Sequence, residues 1–249
     1  LLQVPVRVAL TRPESLCMHP KRHPMNMEIS LGCDKKGKLT FVNADIIGDT
    51  GAYASVGMKV LERAAGHATS AYSIPVVNIR SRAVYTNNVP CGAMRGFGVN
   101  QVNFAIESCI DELCLQGGFD RWQIRYDNAL QPGDRTSTGQ EITSGIGIQK
   151  TLLAVKEQFE NAKYAGIACG MKNTGIGNGV SDESIVKVLI ESPTEIVIHH
   201  GWTEMGQGVF TMAVQFLCEA TGVDPDYVKV KVDTSKDAPC GMTTASRGT

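Results

Sequence analysis

The chain has 249 residues, 43% of them hydrophobic and 20% charged, which are proportions of a folded protein with one large or two smaller domains. Its 24 basic and 25 acidic residues leave a net charge of -1, so no basic excess points to nucleic acid. No apolar run approaches the roughly 20 residues of a spanning helix and no signal-peptide pattern opens the chain, so neither a membrane nor a nucleic-acid partner is expected and the cytoplasm is the default.

Weak alternation predicts a strand over 4–10. Strands over 25–31 and 38–47 flank Asp34-Lys35-Lys36-Gly37, a turn signal that predicts a hairpin. Residues 49–57 are too small and glycine-rich for a core strand and read as a loop, followed by a short helix over 60–70 and a strand over 76–86. Val102, Ile106, Cys109, Ile110 and Leu113 share one helical face, which predicts a helix over 101–115 that Gly117-Gly118 ends. Asp120 is placed to cap a second helix reaching Leu130. The polar run 131–145, opening on Gln131-Pro132-Gly133-Asp134, reads as a linker and puts a domain boundary at 135/136. Beyond it the pattern gives a helix (147–164), a strand (166–171), a glycine-rich loop (173–180), two strands (184–191 and 195–200), a glycine loop, a helix (209–221) and a strand (227–233). Sheet and helix without strict βαβ alternation argue an α+β fold of mixed sheets with packed helices. No sequence repeat is visible. The eight cysteines form no CxxC pair, and most read as reduced, buried small side chains. A start without Met, directly in strand-like text, reads as an internal piece of a longer polypeptide.

Two glycine-punctuated stretches carry the functional signal. Residues 90–101 read Pro-Cys-Gly-Ala-Met-Arg-Gly-Phe-Gly-Val-Asn-Gln, and 201–208 read Gly-Trp-Thr-Glu-Met-Gly-Gln-Gly. Each sets large functional side chains among glycines just before a helix, a pattern suited to close approach of backbone to an anionic ligand. Arg95 could donate several bonds to phosphate or oxo groups, and Gln207 could donate its amide. The plain alternatives are a tight strand-to-helix turn with Arg95 on the surface, and a loop in which Thr203 or Glu204 caps the following helix. By residues alone, Arg63 and His67, in Leu-Glu-Arg-Ala-Ala-Gly-His, read as a surface or salt-bridged arginine and a packed or exposed histidine rather than a ligand pair. His199 and His200 are adjacent on a strand, and prolines separate His19 from His23, so neither pair makes a good chelate.

The words Gly92-Ala93-Met94-Arg95-Gly96-Phe97-Gly98 with Gln101, then Glu204-Met205-Gly206-Gln207-Gly208, then Thr243-Thr244-Ala245-Ser246-Arg247 stand in one order. Together they resemble the molybdenum hydroxylases of the xanthine dehydrogenase and aldehyde oxidase family, and 48–67 looks most like the bacterial selenium-dependent branch. The resemblance implies a fragment of the molybdenum-binding subunit, with 1–135 and 136–249 as parts of two molybdopterin-binding domains. The implied activity oxidises an electron-poor carbon of a purine-like N-heterocycle with water as the oxygen source, and the fragment alone would be inactive. By the same likeness, Arg63 is catalytic and binds substrate by stabilising charge on the ring, and Phe97 stacks on the ring. Arg95, with Gly96, belongs to the loop near molybdenum. Gly206, Gln207 and Gly208 contact the molybdopterin, and Thr244, Ala245 and Ser246 pack near metal and pterin. The cofactor would be molybdopterin, with a selenido ligand in the selenium branch. Iron-sulfur and FAD modules, the rest of the same polypeptide and a homodimer are the implied partners. The general-base glutamate and the upstream metal-facing loops would lie outside these residues. Two alternatives stay open: a catalytically silent paralogue acting as a cofactor- or ligand-binding module, and an unrelated small-molecule-binding α+β domain.

Overall fold

The computed structural model describes residues 4, 6–177, 181–232 and 243–247. The chain divides into two compact units, Leu1–Lys172 and Asn173–Thr249.

In the first unit, residues 6–10 form no strand. Val6 and Val8 stay exposed, and a strand with no ladder partner has nothing to pair its backbone. The sequence instead starts a short helix, α1 (Arg12–Met18), where the Glu14 carboxylate accepts from the Thr11 backbone N–H at 2.8 Å and from its hydroxyl at 2.7 Å. β1 (Met25–Cys33) and β2 (Leu39–Asp49) form the expected antiparallel hairpin. Asp34 closes its turn by accepting from Lys36 N and Lys38 N, and Gly37 takes the left-handed conformation. Leu39, Val42, Ala44 and Ile46 put one face of β2 into the core. α2 (Gly57–Gly66) crosses over to β3 (Val76–Val84), which pairs parallel to β2.

α3 (Val99–Gly117) buries Val102, Ile106, Ile110 and Cys114 and stops at left-handed Gly118. Asp120 caps α4 (Arg121–Asn128) by accepting from Gln123 N at 2.6 Å. α5 (Ile148–Asn161), beyond the polar run, is tied to α4 by the Trp122 indole N–H donating to the Leu152 carbonyl at 2.9 Å. Residues 166–171 form no strand, and Cys169 instead leans on the core beside Tyr72 and Ile106. A charged network crosses this core. Arg125, fully buried, donates to Glu107 and Asp111 at 2.8 Å each, and the Tyr72 hydroxyl donates to Glu107. Burial and the Glu107 charge push the Tyr72 phenol up, so it stays a donor.

In the second unit, β4 (Lys187–Ser192) and β5 (Glu195–His199) form an antiparallel hairpin, α6 (Val209–Thr221) crosses over, and β6 (Val228–Lys231) pairs parallel to β5. Its core gathers Ile198, Trp202, Val209, Ala213 and Val228. The two units therefore share one topology, hairpin, helix, parallel third strand, although no sequence repeat announces it. The mixed α+β architecture is as expected. Among the described residues no helix is long and apolar enough to cross a membrane, and the seven described cysteines are unpaired.

Burial holds the imidazoles of His23, His67 and His200 below the ordinary histidine pKa. The unfolded chain then binds more protons than the native state once the pH drops below about 6.5, so stability falls from there towards acid and is flat above. Carboxylates held low by hydrogen bonds, such as Glu204 and Asp49, lose their contribution only at lower pH. Denaturant titrations of the protein at pH 7.5 and 5.5 should show the loss, and equal stabilities would count against buried neutral histidines.

Candidate functional site

In the first unit, the stretch 90–98 follows β3 and is pinned to the segment before β1. Lys21 N donates to the Pro90 carbonyl, Gly92 N to the Lys21 carbonyl, and Cys91 N to the Thr50 carbonyl. Gly96, Phe97 and Gly98 are left-handed in succession, with φ of 92°, 49° and 94°. This shape lays the loop on α2. A Cβ on Gly98 would sit 2.3 Å from the Val60 carbonyl oxygen and 3.2 Å from Ala64 N. Phe97 is half-buried against the cluster that includes Val60 and Ala64, and Arg95 is exposed. Gly98→Ala combines a left-handed alanine with a backbone clash and should cost about 2–5 kcal/mol. Thermal unfolding checks it, and an unchanged Tm would show that the loop can lift off α2.

Arg63 lies in the last turn of α2, where the helix dipole favours a cation, one turn from the Gly98 contact. His67 donates from Nδ1 to the Arg63 carbonyl at 3.0 Å. Burial lowers the His67 pKa, and Lys172 and Arg63 push it the same way. Lys172 is itself lowered by burial and then by Arg63. Arg63 and Lys172 thus set two cations near each other and near the His67 imidazole.

In the second unit, the stretch 201–208 joins β5 to α6. Glu204 takes the capping role: its carboxylate accepts from Gly206 N at 2.8 Å, Gly208 N at 3.0 Å and Phe210 N at 3.4 Å, and these bonds hold its pKa low. Gln207 spends both ends of its amide inside the loop, donating to the Thr203 carbonyl at 2.8 Å and accepting from Met205 N at 2.6 Å. Gly206 and Gly208 are left-handed, and among the described residues nothing lies within 4 Å of a Cβ on either. Gly98 is thus demanded by packing against the protein itself, whereas no described residue crowds Gly206 or Gly208.

The closing segment meets this loop, because Thr203 N donates to the Thr243 hydroxyl at 2.7 Å. Ala245 and Ser246 are both left-handed, with φ of 64° and 54°. Such a conformation costs a non-glycine residue of order 1–3 kcal/mol and persists only where neighbours enforce it. One enforcing bond is Gly175 N to the Ala245 carbonyl at 2.8 Å. Sequence reasoning undervalued His200, weighing it only as a chelator. Fully buried, it accepts from Trp202 N on Nδ1 at 3.1 Å and stacks on the Trp202 ring at 4.5 Å. Its proton is therefore on Nε2, which has no partner among the described residues. Also among the described residues, no three His, Cys, Asp or Glu side chains gather as a metal-ligand set.

Residues 1–129 and 145–249 match two families, both described as molybdopterin cofactor-binding domains. The chain belongs to the molybdopterin cofactor-binding family. Within it, the chain is 34% identical over 256 residues to a probable xanthine dehydrogenase subunit of Bacillus subtilis, covering 98% of this chain and 34% of that protein. It is 40% identical over 154 residues to a nicotinate dehydrogenase large molybdopterin subunit of Eubacterium barkeri, covering 62% of this chain and 36% of that one. The chain thus spans about a third of these relatives' length. The solved structure of an aldehyde oxidoreductase from Desulfovibrio gigas superposes with a TM-score of 0.79 at 27% identity, covering 92% of this chain and 27% of that one. A quinoline 2-oxidoreductase from Pseudomonas putida shares the fold, with a TM-score of 0.75 at 23% identity over 96% of this chain and 34% of that one. These relatives of the molybdopterin cofactor-binding chain are named as dehydrogenases or oxidoreductases.

Proposed function

We propose that this chain is part of the molybdenum-binding portion of a hydroxylase that oxidises an electron-poor carbon of a purine-like N-heterocycle, with water supplying the oxygen. The observation that carries the reading is the match of residues 1–129 and 145–249 to molybdopterin cofactor-binding domains, and the left-handed Gly206 and Gly208, with nothing within 4 Å of a Cβ among the described residues, leave room for a group beside that loop. The buried Nε2–H of His200, in the same unit, has no acceptor among the described residues, and a buried donor left so is costly. By the family likeness, Gly206, Gln207, Gly208, Thr244, Ala245 and Ser246 would hold molybdopterin, and Arg95 with Gly96 would belong to a loop near molybdenum. When bound, that cofactor supplies the two-electron chemistry. Arg63 would stabilise negative charge developing on the ring, and Phe97 would align the ring by stacking. The 135/136 boundary between the two binding domains belongs to the same proposal, as do a cytoplasmic location, iron-sulfur and flavin partners and a homodimer. The likeness over 48–67 extends it to a selenium-dependent enzyme.

Molybdenum, selenium and pterin analysis of the full-length protein, with acceptor-coupled oxidation of purines, tests the reading. A folded full-length protein with neither molybdenum nor pterin would refute it, and cofactor without turnover would favour a silent binding paralogue. A second substrate reading has its own support. The neighbouring cations Arg63 and Lys172 suit a ring bearing a carboxylate, and a nicotinate dehydrogenase subunit is among the relatives. Faster turnover of nicotinate than of xanthine would select it.

A further inference from the structure

The left-handed pair Ala245 and Ser246 is followed at once by Arg247, whose side chain is only 6% exposed. Arg247 Nη1 donates to the Ser181 carbonyl at 2.7 Å and lies 3.7 Å from Asp182 Oδ1. That carboxylate is itself built in. Asp182 Oδ1 accepts from Ile176 N at 3.1 Å, and Asp182 Oδ2 sits 2.2 Å from where a Cβ on Gly175 would be. Gly175 in turn donates to the Ala245 carbonyl, and Asn173 donates to the Gly175 carbonyl at 3.1 Å. A closed circuit results: Arg247 to Ser181 and Asp182, Asp182 to the 175–176 backbone, and Gly175 back to Ala245.

We propose that Arg247 is a positioning residue that holds Thr244–Ser246 in the shape presented to the molybdopterin. The inference rests on the cofactor reading above. A left-handed pair of non-glycine residues relaxes unless both sides are anchored. Thr243 and the Ala245 carbonyl anchor one side, through Thr203 N and Gly175 N. Arg247 anchors the other through Nη1, which donates to the Ser181 carbonyl and lies by the Asp182 carboxylate, with a directional control that a lysine ammonium lacks. The role is indirect, and no contact between Arg247 and substrate or cofactor is invoked.

The test compares full-length wild type with Arg247→Met, Arg247→Lys and Asp182→Asn, reading amide hydrogen exchange at Gly175 and Thr203 and pterin content per folded protomer. Loss of a charge-assisted anchor should speed exchange at these two amides about tenfold or more in Arg247→Met and lower pterin content severalfold, with partial recovery in Arg247→Lys. Asp182→Asn should fall between wild type and Arg247→Met, and it decides the matter if Arg247→Met does not fold. Wild-type exchange, or faster exchange with full pterin content, would overturn the positioning role. A wild-type protein without pterin would sink the cofactor reading instead, and the exchange comparison would still decide whether Arg247 holds the segment.

Discussion

Replacing Arg63 by alanine in the full-length enzyme is expected to lower kcat by about 10²–10³ while changing KM much less, the effect of losing one preorganised charge partner. The reason is local. Arg63 is half-buried in the last turn of α2, and the loop that carries Phe97 lies against that helix at Val60 and Ala64. The cation is thus carried by the same packed helix on which the loop of Phe97, the aromatic proposed to align the ring, rests. Arg63→Lys should recover only part of the rate, because a point charge replaces a planar fork. Steady-state kinetics with the best substrate found decide it. A rise in KM at constant kcat would reduce Arg63 to a binding residue.

Removing the Glu107 carboxylate, as in Glu107→Leu, should destabilise the protein by about 3–5 kcal/mol, because it strips a partner from a fully buried guanidinium. Asp111 still holds Arg125 Nη2, but it is 41% exposed and leaves Nε without its acceptor. The Tyr72 hydroxyl also loses its acceptor. The double variant Glu107→Gln, Arg125→Met keeps an acceptor for Tyr72 and removes the stranded charge, so it should be more stable than Glu107→Leu. Denaturant unfolding of the set measures the coupling. A Glu107→Leu protein within 1 kcal/mol of wild type would mean that water or a rearranged Asp111 satisfies Arg125.

Much of the fold was legible because its signals are local. The turn at Asp34–Gly37, the apolar face of α3, the stop at Gly118 and the Asp120 cap each depend on residues a few positions apart. The failures at 6–10 and 166–171 share one cause: alternation promises a strand only where a second strand supplies the ladder, and no described strand pairs there. The candidate site was legible in part. Composition paired the glycine stretch before α3 with the one before α6. Topology instead matches 201–208 with the 49–57 loop, since each leaves the middle strand of its sheet and enters the crossover helix. Arg247 was visible as a letter after Thr-Thr-Ala-Ser, but nothing in its neighbours showed that it would be buried against Ser181 and Asp182.

The sequence by itself determined the α+β class, most of the elements and the family, because periodicity, caps and the ordered glycine words are properties of neighbouring residues. Only the tertiary structure decided what each glycine is for. Gly98 has no Cβ because α2 occupies that space, while Gly206 and Gly208 face nothing within 4 Å among the described residues. The same holds for Glu204 and Gln207, which are turned inward onto their own loop. Whether a bare backbone or a polar side chain meets protein or open space depends on residues brought together from distant parts of the chain, and local sequence carries no record of that.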